Sequence, residues 1–330
     1  MMNRRAFIAI AGGAILAQSI TVRAQGQAAA RRIGLLAPGS RADAESLVNF
    51  LRPELDKLGW TDGRNIVLLE PRIAEGRNER LPALAADLVA QSPDVIVVVS
   101  VPGTRALMQA TKTIPIVMYA VGNPVDLGLV TDFRNPGGNV TGLSILADET
   151  LRKLLRFLKE AAPRVQSVAL FVNATNEAVP PLLKVMRADT ATLGTRLQVV
   201  GVSGPDDFES AFAAIRRENT ESIMLPPEPL ILSKRDAIAD FAQRQGIPLA
   251  VAAPGRNLPA TGLISYGPVS GLYAQIAARY IDRILKGAKP GDLPIEQPTK
   301  FELVINLKTA KALGLTIPQS LLQRADNTIQ

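Results

Sequence analysis

The chain has 330 residues, with 37 lysines and arginines, 30 aspartates and glutamates, and neither histidine nor cysteine. It can therefore form no Ser-His-Asp or Cys-His catalytic centre, no disulfide and no zinc site built on imidazole or thiolate. Hydrophobic residues make up 47% and charged residues 20%, close to the globular average, which excludes disordered and fibrous classes. A chain of this length usually divides into two lobes.

The first 24 residues are predicted to be a secretory signal peptide. Arg4 and Arg5 precede an apolar run at 6–17, and a cleavage site with small residues follows at 22–24. The apolar run would form a helix of about 18 Å, short of the ~30 Å hydrocarbon core, so a permanent membrane span is not expected. The arginine pair also resembles the twin-arginine export pattern, and that route and general secretion both stay open. The mature chain would be periplasmic.

From residue 31 onward, short apolar segments alternate with segments whose apolar residues recur every three or four positions, which predicts alternating strands and helices. Strands are predicted at 33–37, 65–70, 94–100, 115–119, 168–172, 197–202, 222–225, 249–252, 263–266 and 301–306. Helices are predicted at 47–58, 78–91, from 104, at 149–159, 181–193, 207–217, 271–286 and 307–313. A further helix is expected to open with a capping box at Ser233 and to end at Gly246.

This order predicts an α/β fold with two Rossmann-like parallel-sheet lobes joined by a multi-strand hinge. A turn cluster at 135–139 separates the two strand–helix runs, and the helix at 271–286 is expected to return to the first lobe. Chain crossings are expected near 141–144, 265–270 and 288–298. Lobe 1 is predicted to comprise 31–142 and 268–290, and lobe 2 to comprise 143–267 and 291–330.

The cleft between the lobes is the predicted binding site. In open α/β sheets, ligands bind beyond the carboxyl ends of the strands, where helix N-termini present free N–H groups. The loop from Ser100 to Thr104 suits a carboxylate, and Glu228, in a proline-rich loop after a buried strand, suits an ammonium group. The residues in such positions are Ser40, Ser100, Gly103, Thr104, Asn123, Asn173, Asn176, Glu228 and Tyr266.

Several of these residues also have a purely structural interpretation. Thr104 is equally suited to cap a helix, and Glu228 to be an exposed loop acid. Asn123 and Asn176 are typical turn residues, and Tyr266, like Tyr119, is an aromatic at a strand end that favours a core position. The sequence by itself leaves both interpretations open.

Motifs for catalysis or nucleic-acid binding are missing from the sequence. It contains no phosphate-binding loop, no dinucleotide fingerprint and no nucleophile elbow. No helix-turn-helix segment precedes the first predicted strand, and aromatic residues, at 4%, are too few for a base-stacking surface. No cofactor, no metal, no nucleic-acid partner and no enzymatic activity are therefore expected.

Several segments resemble the substrate-binding proteins of ABC transporters. The clearest are DGRNIV at 62–67, PGGNVTGLS at 136–144, SYGP at 265–268 and EQPTKFELVINLKTAKALG at 296–314. The resemblance extends from about residue 31 to 326. It implies the type I periplasmic binding protein fold, a monomer that binds a small molecule, and delivery of that ligand to an ABC permease in the inner membrane.

The resemblance also implies an amino acid as the ligand, with Ser100 and Thr104 at its carboxylate and Glu228 at its ammonium group. The chain departs from the family at Asn123, where Asp is commoner, and in the loops 226–229 and 254–257. Two other classes stay open. A periplasmic sensor would use the same fold to dock on a receptor, and a secreted enzyme would need an acid–base pair such as Glu228 with Asp126.

Overall fold

The computed structural model describes residues 29–269 and 271–330, so the predicted signal peptide at 1–24 lies outside the described residues. The strands are β1 (Arg31–Ala37), β2 (Ile66–Leu68), β3 (Arg72–Ile73), β4 (Val95–Val99), β5 (Ile116–Gly122), β6 (Val140–Ile145), β7 (Ser167–Asn173), β8 (Arg196–Val202), β9 (Ile223–Leu225), β10 (Leu249–Val251), β11 (Ile264–Pro268), β12 (Phe301–Asn306) and β13 (Asn327–Ile329).

The α-helices are α1 (Arg41–Lys57), α2 (Leu81–Ala90), α3 (Val101–Ala110), α4 (Ala147–Ala161), α5 (Val179–Thr192), α6 (Phe208–Arg217), α7 (Pro229–Leu232), α8 (Arg235–Gln245), α9 (Leu272–Leu285), α10 (Leu307–Ala312) and α11 (Gln319–Leu322). Short 3₁₀ turns lie at 78–80, 255–257 and 290–292. None of these helices has both the length and the apolar character that spanning a bilayer requires.

The first sheet is parallel, in the order β2-β1-β4-β5-β6, with β3 also paired to β1. Its central strand β4 is buried over Val95 to Val98 because helices cover both faces of the sheet. Helices α1 and α9 pack on one face and share a core with Val95 and Val97. Helices α2 and α3 pack on the other face, against Ile96 and Val98. Successive side chains of β4 point to opposite faces of the sheet and therefore belong to two different cores.

The second sheet has the order β13-β12-β11-β10-β9-β7-β8. Helices α6, α7 and α8 cover one face, where Phe171, Phe208, Phe212 and Phe241 form an aromatic cluster. Helices α4 and α5 cover the other face, together with α10 and α11. Two sheets, each between two helical layers, confirm the predicted fold class of two α/β lobes joined by a hinge.

One strand pair departs from the expected parallel pattern. β12 runs antiparallel to β11, with Tyr266 opposite Leu303. The chain leaves the second sheet at the end of β11, forms α9 on the first sheet, and returns at the hinge. β12 therefore enters the second sheet from the hinge end and must run in the opposite direction. The short strand β13, which the sequence did not predict, then pairs parallel with β12.

The hinge is built from three passages of the chain. One passage follows β6, one follows β11, and the third precedes β12. The third passage is hydrogen-bonded to β6, since the Ser144 N–H donates to the carbonyl of Glu296 at 2.9 Å. β6 continues to Ile145 within the first sheet, three residues beyond the predicted end of lobe 1. The predicted lobe boundaries themselves stay a prediction.

The capping box predicted at Ser233 is wrong. Lys234 precedes α8 without a side-chain cap, and the Ser233 hydroxyl instead donates to the carbonyl of Leu230 at 2.7 Å, at the end of the unpredicted helix α7. A capping box occurs at the start of α1, where the side chains of Ser40 and Asp43 bond to each other's backbone N–H. Because Ser233 is the C-cap of α7, it does not also act as the N-cap of α8.

Candidate functional site

Two adjoining cavities lie between the lobes, at the carboxyl ends of the parallel strands. The larger has a volume of about 190 Å³ and the smaller about 70 Å³. Their walls share Ala120, Ile145, Ala147, Pro227 and Pro229, so the two are direct neighbours. This is the position at which open α/β sheets bind ligands.

The lobes touch each other around these cavities. Arg77 pairs with Asp206 at 2.8 Å, and Arg105 pairs with Glu177 at 2.7 Å, each pair joining residues of opposite lobes. Arg235 of α8 approaches Asp43 of α1 at 3.6 Å. The cleft is therefore closed, with the cavities inside it.

Glu228 lies in the wall of the smaller cavity and is buried. One carboxylate oxygen accepts a hydrogen bond from Asn173 Nδ2 at 2.8 Å, and the other accepts from the Ile231 N–H at 3.2 Å. Burial raises the pKa of Glu228 and outweighs these hydrogen bonds, which lower it. No described lysine or arginine forms an ion pair with this carboxylate.

The local sequence explains how Glu228 is held. Pro229 takes the first position of α7, where the missing N–H costs nothing, and Glu228 becomes the N-cap. Asn173 is the last residue of β7, and its Oδ1 accepts from the backbone and hydroxyl of Thr175 at 3.1 and 2.7 Å. This leaves the Asn173 amide directed at Glu228. Asn176 lies in the same cavity wall.

The predicted carboxylate cradle at the start of α3 is largely occupied by internal bonds. Ser100 is the N-cap, with a strained φ of 72°, and its hydroxyl accepts from the Gly103 N–H at 3.4 Å. The Thr104 N–H and hydroxyl both donate to the Ser100 carbonyl, at 3.2 and 2.8 Å. Pro102 has no N–H, so the Val101 N–H is the one backbone donor of residues 101–104 that does not bond to Ser100 or lack a hydrogen. Ser100 lines the smaller cavity, whereas Gly103 and Thr104 are buried away from its wall.

The alternative interpretation of Thr104 as a helix N-cap is wrong, because Ser100 takes that position. Ser40, Asn123 and Tyr266 lie outside the walls of both cavities. Asn123 lies near Asp148 and acts to lower the pKa of that carboxyl, and Tyr266 packs on Phe157 and Phe301. The structure thus brings Ser100, Asn173, Asn176 and Glu228 together, and ligand contact by all nine residues stays a prediction.

The larger cavity has mainly apolar walls and contains residues that sequence reasoning did not select. Tyr119 and Tyr273 line it, with their rings edge to face at a centroid distance of 5.7 Å. Burial raises the pKa of Tyr119 to about 12 and raises that of Tyr273 further above its usual value, so both phenols are donors at neutral pH. Arg235, Arg256 and Asp43 are the charged residues of the wall, and Ser46, Thr150 and Asn257 are further polar ones.

Strand β5 contains an irregularity next to Tyr119, at the edge of the cavity. Met118 lies opposite Gly142 of β6 and Val121 opposite Ser144, so β5 contains one extra residue. Ala120 lies in this bulge and has a positive φ of 63°. A strand-end aromatic was visible in the sequence, and Tyr119 keeps the face of the sheet that Val117 has, in regular register with β4. No pattern in the sequence marks Tyr273, Arg235 and Arg256 as neighbours, because they come from helices and loops far apart in the chain.

A cavity of about 490 Å³ lies elsewhere on the second lobe, around Arg164, Arg216 and Glu221. It is open to solvent and lies at the amino ends of β7, β9 and β10, opposite the cleft. Helix N-termini do not point toward that end of a parallel sheet, so we place the candidate site in the interlobe cavities despite their smaller volume. Within residues 29–269 and 271–330, no three acidic side chains lie close enough together to hold a metal ion.

Comparisons with known proteins agree with this geometry. The chain is 27% identical over 268 residues to the tyrosine-binding protein of Clostridioides difficile, which covers 81% of this chain and 75% of that protein. A conserved domain protein from Vibrio cholerae is 28% identical, with a TM-score of 0.83 over 90% of this chain and 99% of that one. The ABC domain from Streptococcus pneumoniae in complex with L-Trp is 24% identical, with a TM-score of 0.82 over 91% and 100%.

The model of one protein family, described as ABC transporter substrate binding protein, matches residues 42–329, which includes both lobes and the hinge. With that match, the chain belongs to the family of ABC transporter substrate-binding proteins.

Proposed function

We propose that this protein captures an amino acid outside the inner membrane and delivers it to the permease of an ABC transporter. The observation that carries the proposal is the buried Glu228 carboxylate, which has no cationic partner among the described residues and lies in a closed interlobe cavity. A ligand ammonium group supplies the missing charge. The tyrosine-binding relative supports an amino acid as the ligand.

The two cavities suit the two parts of an amino acid. Glu228, Asn173, Asn176 and Ser100 bind the polar end in the smaller cavity. The larger cavity, with apolar contacts from residues such as Leu47, takes the side chain. Burial of that side chain contributes affinity in proportion to the apolar area removed from water.

The protein binds its ligand without converting it. Asp126, the residue considered as a partner for Glu228 in an acid–base pair, lines neither cavity. Removal of the predicted signal peptide releases the mature chain into the periplasm, where it acts as a monomer and presents the closed form to the permease.

A thermal-shift screen of the twenty amino acids, followed by calorimetry, tests the proposal. We expect at least one amino acid to stabilise the protein, since a ligand that binds only the folded state raises its stability. Glu228→Gln should weaken that ligand by about 2–5 kcal/mol, because the ammonium group loses its charged partner.

Glu221→Gln is the matched control. Glu221 also accepts from a backbone amide, that of Gln166, but lies at the far end of the second lobe. Its substitution should leave the affinity unchanged. A protein that binds none of the twenty amino acids contradicts the proposal, and equal affinities for wild type and Glu228→Gln remove Glu228 from the site.

A further inference from the structure

Three polar groups in the wall of the larger cavity are without partners in the part of the chain that the structure describes. The Tyr119 and Tyr273 hydroxyls form no hydrogen bond with any described residue, although both rings are mostly buried. Arg256 forms neither an ion pair nor a hydrogen bond there. Tyrosine hydroxyls in such positions usually have a hydrogen-bond partner. Water or a bound molecule that enters the cavity can therefore accept from these groups.

Arg256 is held at the cavity from the opposite lobe. Its guanidinium lies 3.9 Å from the centroid of the Phe50 ring on α1. Although the residue stays accessible to solvent, this covered face contributes to the burial that lowers its pKa. It is also close enough to Tyr119 for its charge to lower the pKa of that phenol. The three groups therefore form one cluster of donors, which we call the Tyr–Arg cluster.

The acids nearest to the cluster already have partners. Asp43 accepts from the Ser40 hydroxyl at 2.5 Å and lies near Arg235 at 3.6 Å. Glu302 accepts from the Gly255 N–H at 2.8 Å. The Glu302 carboxylate is close enough to act on the charge of Arg256, but neither acid forms an ion pair with Arg256. The Tyr–Arg cluster thus presents one guanidinium and two hydroxyl donors that no described carboxylate pairs with.

We propose that the Tyr–Arg cluster, Tyr119, Tyr273 and Arg256, binds a carboxylate of the ligand. A planar guanidinium and two O–H groups are the donors that a carboxylate accepts from, whereas a cationic group would be repelled. The cradle expected at the start of α3 offers fewer free donors, because its Gly103 and Thr104 N–H groups are already bonded. This inference rests on the proposed function and adds the chemical class of the group that the larger cavity takes.

The carboxylate can come from either end of an amino acid. If it is the α-carboxylate, the decarboxylated amine of the ligand will lose the interaction. If it is a group at the tip of the side chain, lengthening the ligand with a tip carboxylate will strengthen binding. L-tyrosine, tyramine, 3-(4-hydroxyphenyl)propanoate and 4-carboxy-L-phenylalanine are the probes that separate these sources.

Calorimetry with these four probes on wild type and Arg256→Gln is the test. We expect the variant to bind the carboxylate that occupies the cluster roughly 30-fold or more weakly, while probes lacking that carboxylate change little. Arg256→Lys, which keeps the charge but loses the planar pair of donors, should lose less. Arg216→Gln is the matched control, since Arg216 also stacks on a phenylalanine, Phe241, but lies away from the cleft. It should bind every probe as wild type does.

The outcomes separate this inference from the proposed function. If wild type binds an amino acid but Arg256→Gln and Arg256→Lys bind every carboxylate probe as tightly as wild type, the inference is overturned and the proposed function stands. If wild type binds no amino acid, the proposed function fails, and 3-(4-hydroxyphenyl)propanoate then decides the inference. Binding of this acid by wild type and its loss in Arg256→Gln support the cluster; no binding, or no loss, overturns it.

Discussion

Glu228 has opposite effects on stability and on binding. Burial raises its pKa in the folded protein, whereas in the unfolded chain the carboxyl has its ordinary pKa of about 4.3. The folded state therefore holds the proton more tightly. Its contribution to stability is complete below the unfolded pKa and is lost as the pH rises through the raised folded pKa. The ionised form that binds an ammonium group is thus the form that costs stability.

This linkage gives a prediction at the residue scale. The free energy of unfolding of wild type should fall relative to that of Glu228→Gln as the pH rises from about 4, since glutamine does not titrate. Denaturant unfolding of both proteins at several pH values measures the difference. Burial also raises the pKa of Asp148. Because Asp148 is present in both proteins, its contribution cancels when their free energies of unfolding are subtracted. Parallel pH profiles for the two proteins would contradict the raised pKa of Glu228.

At the scale of single elements, the bulge in β5 depends on a glycine in the neighbouring strand. Gly142 of β6 has a φ of 123°, and a Cβ at this position would lie 2.4 Å from the Met118 carbonyl oxygen. Both the backbone conformation and the close approach of β5 thus require glycine. Without that approach, β5 and β6 cannot pair in the same register on both sides of the bulge.

We expect Gly142→Ala to lower the free energy of unfolding by about 2 kcal/mol or more, from strain and overpacking together. Gly128→Ala is the control, because Gly128 also has a positive φ, of 64°, but no atom within 4 Å of an added Cβ. The control should cost only about 1 kcal/mol. Urea unfolding compares the two, and equal losses would show that the contact with Met118 does not matter.

For the whole molecule, the three hinge passages lead us to expect opening and closing as the relative motion of the lobes. The ion pairs that join the lobes are solvent-exposed, and such pairs contribute little stability. We therefore expect the closed form to be favoured by a ligand, and binding to shift an equilibrium between open and closed forms.

Solution scattering tests this expectation. The radius of gyration of the ligand-free protein should be larger than that of the protein saturated with the amino acid that the thermal screen selects. An amino acid that gives no thermal shift is the control and should leave the profile unchanged. Identical profiles with and without the selected amino acid would argue against closure on binding.

Local patterns in the sequence determined most of the architecture. Apolar periodicity predicted both strand–helix runs, and the position of Glu228, Asn173, Asn176 and Ser100 after strands predicted that they lie at the cleft, because parallel strands end at one edge of a sheet. The family resemblance rests on motifs such as 296–314, which are contiguous in the chain. Such features depend on neighbours within a few residues.

Only the tertiary structure decided the direction of β12, the bulge between β5 and β6, and the approach of Arg256 to Phe50 across the lobes. It also decided that Thr104 lies buried behind Ser100 and that Glu228 has no cationic partner among the described residues. Each of these depends on contacts between segments that are distant in the chain. No local pattern encodes such contacts, because they form only when the sheets and the hinge bring the segments together.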